Sequence, residues 1–134
     1  MKTITFAIIL ISIPASALEL ELGAYTHHLF PEDVNNDNRL VGLEWHSIEV
    51  ATFANSFHDR SFALGYRFNG PGPLSVSVGA IHGYGSNSKV FPVTVGNVVA
   101  YSSFNVTVPV TDHFAVRGRV MGEVVMVSGV VGLP

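Results

Sequence analysis

"SFALGYRF", residues 61–68, sets Phe62, Leu64, Tyr66 and Phe68 on alternate positions and fills the places between with Ser61, Ala63, Gly65 and Arg67. A period of two is the mark of an extended strand, whose side chains point by turns to opposite faces. One face of this segment is large and apolar; the other is small or ionised. The same division recurs along the chain. Leu18, Leu20, Leu22 and Ala24 alternate with Glu19, Glu21, Gly23 and Tyr25. Val41, Leu43 and Trp45 alternate with Leu40, Gly42, Glu44 and His46, and Leu74, Val76, Val78 and Ala80 with Ser75, Ser77 and Gly79. In a water-soluble sandwich the large apolar faces would pack together as a core. In a membrane barrel they would meet lipid, and the small and charged faces would line the interior.

Composition favours the barrel. Only 13% of residues are charged, and the mean hydropathy is +0.39. Glu19, Glu21, Glu44, Glu49 and Glu123 share the polar faces with Arg67, Arg117 and Arg119, whereas Lys89 is the sole lysine after Lys2. Lysine is the ordinary solvated charge; acids and arginines enclosed together must neutralise one another. Cysteine is absent, so disulfides and thiolate metal sites play no part. The formal charge of −3, with no cluster of Lys and Arg, argues against a nucleic-acid partner.

The start of the chain reads as a leader. Lys2 precedes the apolar run at residues 6–13, and Ala15-Ser16-Ala17 supplies the A-x-A exit of a secretory signal. That apolar run is well short of the roughly 20 residues of a spanning helix. The expected division is therefore a signal peptide at 1–17 and a single β-barrel domain at 18–134.

The alternation predicts eight strands, at 18–28, 39–46, 48–56, 61–68, 74–84, 92–101, 104–110 and 114–127, with residues 117–127 readable either as one strand or as the meeting of two. The fold expected is all-β, an eight-stranded antiparallel up-and-down β-barrel of outer-membrane type, acting as a monomer. Polar connections at 29–38 and 85–91 contrast with tight turns at His46-Ser47 and at 69–73, the long-and-short asymmetry of such barrels. Eight is the smallest strand number in bacterial barrels and leaves a lumen that side chains fill. The terminal Val131-Gly132-Leu133-Pro134 lacks the aromatic end common in outer-membrane barrels, so a soluble periplasmic barrel of lipocalin type remains the alternative.

Chemistry concentrates at one rim. Simple alternation from Leu18 sends Tyr25 and His27 inward and His28 outward, where the first long loop begins. Asn55-Ser56 ends a strand at the same rim. A serine is a weak nucleophile until a neighbouring base accepts its proton, and histidine is the usual base.

The inward histidine, the polar first loop, Arg39-Leu40-Val41-Gly42-Leu43-Glu44-Trp45, Asn55-Ser56-Phe57 and Ala63-Leu64-Gly65-Tyr66 together resemble the PagP-type lipid A palmitoyltransferases. The likeness is clearest over residues 25–68. It implies acyl transfer in an outer leaflet: a phospholipid donates an acyl chain, lipid A accepts it, and the lumen holds the tail. It also implies that His27 or His28 matches the family's catalytic histidine and Ser56 its serine, with no cofactor. Two departures stand out. Asn55 occupies the place of an aspartate, and an amide cannot supply negative charge to an imidazolium. Arg67 falls at or beside a small residue that floors the family's acyl-chain cavity. The competing expectation is a non-catalytic barrel whose loops contact lipopolysaccharide or exclude a phage.

Other motifs are weaker. His46, His58, His82 and His113 lack metal-ligand spacing. Asp33, Asn35, Asp37 and Glu44 mimic a calcium loop, but Asn38 replaces its turn glycine. Asn105-Val106-Thr107 fits a glycosylation sequon inside an expected strand. The leader assignment is tested by Ala17→Arg, which should leave a precursor of full mass on export, readable by mass spectrometry of the membrane fraction.

Overall fold

The computed structural model describes residues 18–29, 37–55, 59–83, 94–122 and 124–133, and among them there is no helix. Nine strands form: β1 Leu18–His28, β2 Val41–Trp45, β3 Ile48–Ala54, β4 Arg60–Asn69, β5 Leu74–His82, β6 Thr94–Val95, β7 Val98–Pro109, β8 Phe114–Met121 and β9 Val124–Leu133. Every pairing is antiparallel. The order β5-β4-β3-β2-β1-β9-β8-β7 closes through a β5–β7 pairing into an eight-stranded barrel, and β6 is a two-residue addition beside β7. Closure leaves each wall strand a neighbour on both sides, which removes the open sheet edge that an unclosed sheet would expose.

The eight-strand expectation holds, with a different partition of the last third. Residues 92–101 and 104–110 do not form separate strands; Val98–Pro109 is continuous, and Tyr101, Ser103 and Asn105 keep strict inward alternation through the polar stretch. Residues 114–127 are the meeting of two strands, because Gly122 turns the chain at φ +56 between β8 and β9. β9 then runs to Leu133 and pairs with β1, Leu18 opposite Leu133.

The two ends of the barrel differ. One carries Leu18, Leu133 and the short turns at residues 46–47, 70–73 and 110–113. At the first of these, His46 and Ser47 both take positive φ, 47 and 71, the twist that a two-residue hairpin needs and that glycine or asparagine normally supplies. The other end carries the last residues of β1, β3, β5 and β8 and the first residues of β2, β4, β7 and β9. They are called the turn end and the loop end below.

Polarity is inverted across the wall. Leu43, Trp45, Val50, Phe62, Leu64, Tyr66, Phe68, Val76 and Val127 are exposed on the outside, while Glu21, Glu49, Arg67, Ser77, Asn105, Arg117 and Arg119 are buried within. The interior is itself divided. Leu40, Phe53, Ile81, Val99, Tyr101 and Met126 cluster in the loop-end half, and the charged side chains occupy the rest.

Between the halves, the Tyr101 ring lies over two glycines that face each other across β4 and β5, Gly65 and Gly79. The small residues of the inward face thus make room for a large ring from β7. A Cβ added at Gly79 would sit 2.3 Å from Leu64 O, 2.6 Å from Gly65 Cα and 2.8 Å from Tyr101 Cε1. The first two are backbone atoms of the neighbouring strand and cannot swing aside. Gly79→Ala should therefore destabilise the barrel by about 1–3 kcal/mol through overpacking. Gly118→Ala, where an added Cβ meets nothing within 4 Å, should stay within about 0.5 kcal/mol of the parent, both variants being compared by urea titration.

Candidate functional site

The loop-end rim is built around a break in β1. Pairing with β9 slips between Leu22 and Tyr25, where Gly23 adopts φ +72 and donates its N–H to Leu40 O at 3.0 Å. An extra residue at such a bulge reverses the alternation beyond it. Thr26 is accordingly buried at 2% exposure, opposite the buried Met126, while Tyr25 and His27 are exposed on the outer face. This corrects the inward placement of Tyr25 and His27 that uninterrupted alternation gave. His28 is the last residue of β1; its side chain lies outside the description.

Thr26 Oγ1 donates to Asn38 Oδ1 at 2.7 Å, and Ala54 N donates to Asn38 O at 2.7 Å. Residues 37–40 thereby bridge β1 and β3 above the short β2, with Tyr25 paired to Asp37. Asp37 also faces Arg39 at 3.5 Å on the surface. Asp33 and Asn35 of the calcium-like pattern lie outside the described residues.

Asn55 is fully buried and staples the loop after β3. Its Nδ2 donates to Ser61 Oγ and to Gly83 O, each at 3.0 Å, and its Oδ1 accepts from Asp59 N at 3.1 Å. Its backbone N–H reaches Asp59 O at 2.7 Å. These bonds join β3, β4 and the end of β5, so an aspartate here would lose the two donors. Ser56 lies outside the described residues. Of the four expected site residues, His27 and Asn55 are thus brought to the same end of the barrel but to opposite faces of its wall.

Arg67, the second departure from the PagP-type pattern, belongs to an ionic network in the other half of the lumen. Acids come from three adjacent strands, with Glu19 opposite Glu44 and Glu44 opposite Glu49. Like charges so placed repel, and guanidiniums from β4 and β8 resolve the conflict. Arg67 Nη2 contacts Glu19 at 3.1 Å and pairs with Glu44. Arg117 reaches Glu21 at 2.9 Å, Glu19 at 3.0 Å and Glu44 at 3.5 Å, and its Nε donates to Thr107 Oγ1 at 3.0 Å. Arg119 holds Glu21 at 2.6 Å and Glu49 at 3.1 Å, and Ser128 donates to Glu21. Beside the arginines, on β7 and β5, Asn105 donates to Ser77 Oγ at 2.9 Å and accepts from Ser103 Oγ at 2.9 Å. The buried Asn105 is a network residue, and its place inside the barrel removes the sequon from consideration.

Sequence reading anticipated that enclosed acids and arginines would pair, but not the partners. It missed Thr26 and Asn38, whose burial depends on the bulge, and Tyr101, whose signal was the pair of inward glycines at 65 and 79. No family model, no curated protein and no solved structure matches the chain. Removing Arg117, 1% exposed at its side chain, would leave buried carboxylates short of a counter-charge. Arg117→Met should cost about 3–5 kcal/mol, seen as a lowered urea midpoint in detergent micelles, whereas Arg39→Met at the exposed surface pair should change it by less than about 1 kcal/mol.

Proposed function

We propose that the chain is a monomeric integral barrel of the outer membrane, with its outer wall against hydrocarbon and its interior filled rather than open. The inversion of polarity across the wall carries this reading. A continuous outer surface of large apolar side chains is a liability in water, far beyond the patch size that monomeric soluble proteins tolerate. In hydrocarbon the same surface is at home, and a closed barrel meets the requirement that backbone groups bond to one another where no water is available. The arginines and glutamates crossing the lumen satisfy the charges that hydrocarbon would reject and occupy the channel that a larger barrel would leave open. The role that follows is structural, with the loop end presented at the surface to lipopolysaccharide.

A second reading is favoured by the division of the interior. An apolar half at the loop end above an ionic half suits a hydrocarbon tail entering from that end, as transfer of a phospholipid acyl chain to lipid A would require. Arg67, Arg117 and Arg119 would then bound the depth available to the tail. With His27 on the outer face, His28 is the histidine left for the base, acting on Ser56 while Asn55 fixes the loop between β3 and β4.

One set of cells tests both. Under the first reading the protein sediments with membranes, resists an alkaline wash and migrates faster on a gel unheated than boiled, and lipid A from the same cells keeps its mass. A protein that stays in solution without detergent overturns the membrane reading. A gain of one acyl chain on lipid A, lost on Ser56→Ala, would replace the structural role with the enzymatic one.

A further inference from the structure

The outward-facing charges are unevenly distributed, and one of them has no partner among the described residues. Among the described residues, no arginine or lysine faces outward at the turn end, where the ionisable side chains are His46, Asp112 and His113. At the loop end the exposed arginines are Arg39 and Arg60. Arg39 is engaged by Asp37. Arg60, the first residue of β4, has no ion pair or hydrogen bond from its guanidinium to a described residue. Its neighbour Asp59 is tied to Asn55 through backbone N–H and C=O.

The position of Arg60 gives that charge a meaning. Ser61 is buried and Phe62 is exposed, so alternation turns Arg60 to the outer face, directly above the apolar ladder of Phe62, Leu64, Tyr66 and Phe68 on the same strand. On β5, His82 is the residue opposite Phe62, and it too is exposed. Arg60 and His82 are therefore diagonal neighbours on one face, about 7–8 Å apart by the ordinary geometry of paired strands, within reach of long side chains. A guanidinium offers a fork of donors that matches phosphate, and an imidazole N–H beside it adds a third.

Resting on the membrane reading, we infer that Arg60 and His82 form a docking point on the outer wall for the phosphate of an anionic lipid headgroup, with the acyl chains of that lipid lying along Phe62 and Leu64. The site stands at the edge of the apolar belt, where a charge at hydrocarbon depth would be costly and a charge at headgroup depth is not. Its restriction to the loop end gives the barrel a preferred orientation toward the leaflet richer in phosphate.

The test uses full-length protein in phosphatidylcholine nanodiscs containing a fixed share of phosphatidylglycerol, with native mass spectrometry after release from the disc. Wild type should keep one phosphatidylglycerol molecule. Arg60→Gln should lower its retention about tenfold, the loss of one charge-assisted bond of about 1.4 kcal/mol, and His82→Gln should lower it less. Arg39→Gln, whose guanidinium is engaged by Asp37, should retain the lipid as wild type does. Equal retention by Arg60→Gln and wild type, or equal retention of phosphatidylcholine and phosphatidylglycerol, overturns the inference while leaving the membrane reading intact. Added inorganic phosphate that displaces the lipid at low millimolar concentration would mark a free-anion site and overturns it as well. Failure to enter the nanodisc at all counts against the membrane reading itself.

Discussion

Enclosing charge is the constraint on which the fold turns. Four carboxylates on three adjacent strands would repel one another and resist leaving water, and neither cost is tolerable unless counter-charge is held in place. Arg67 from β4 and Arg117 and Arg119 from β8 supply it from the two flanks. Arg117 ties β8 to β1 and β2, skipping β9. The barrel's closure and its electrostatics are thus one event: the ionic pairs form only when the sheet has curled, and the curled sheet has an acceptable interior only when they form.

Small residues make that curling possible. A narrow lumen that must hold three arginines and a tyrosine has little room for other bulk, and Gly65, Gly79, Ser75, Ser77 and Ser103 provide it. The Tyr101 ring on two glycines and the Asn105 bonds to serines fill the wall beside the arginine-bearing strands. Above this level the interior becomes apolar, and Leu40, Phe53, Ile81, Val99 and Met126 close the loop end. The change from ionic to apolar filling is what distinguishes the two halves as surroundings for a ligand, and it follows from which inward positions carry Glu and Arg and which carry Ile, Val, Phe and Met.

The rim shows how a local device redirects chemistry. One extra residue at the Gly23 bulge moves His27 to the outer face and Thr26 to the inner one. Thr26 then secures Asn38, which secures β3, so residues 37–40 become wall where β2 is too short to serve. Asn55 does the same work at the next loop, its amide spanning three strand ends. Asn38 acts as an acceptor, whereas Asn55 donates and accepts together, which a carboxylate could not do in its place.

Sequence alone determined the class of fold, because a period of two survives any arrangement of strands: the faces at 61–68, 74–80 and 41–45 separate bulk from charge whatever their neighbours. It also determined that the acids and arginines must meet, since nothing else in the chain neutralises them. Only the tertiary structure decided which residues meet, and on which face of β1 the residues beyond the Gly23 bulge lie. Pairing register and bulges are set by contacts between strands distant in sequence, Glu21 with Arg117 and Leu22 with Gly129, and a single inserted residue reverses every side chain after it. For that reason the strand at 61–68 was legible as written, whereas the histidine pair at the end of β1 was not.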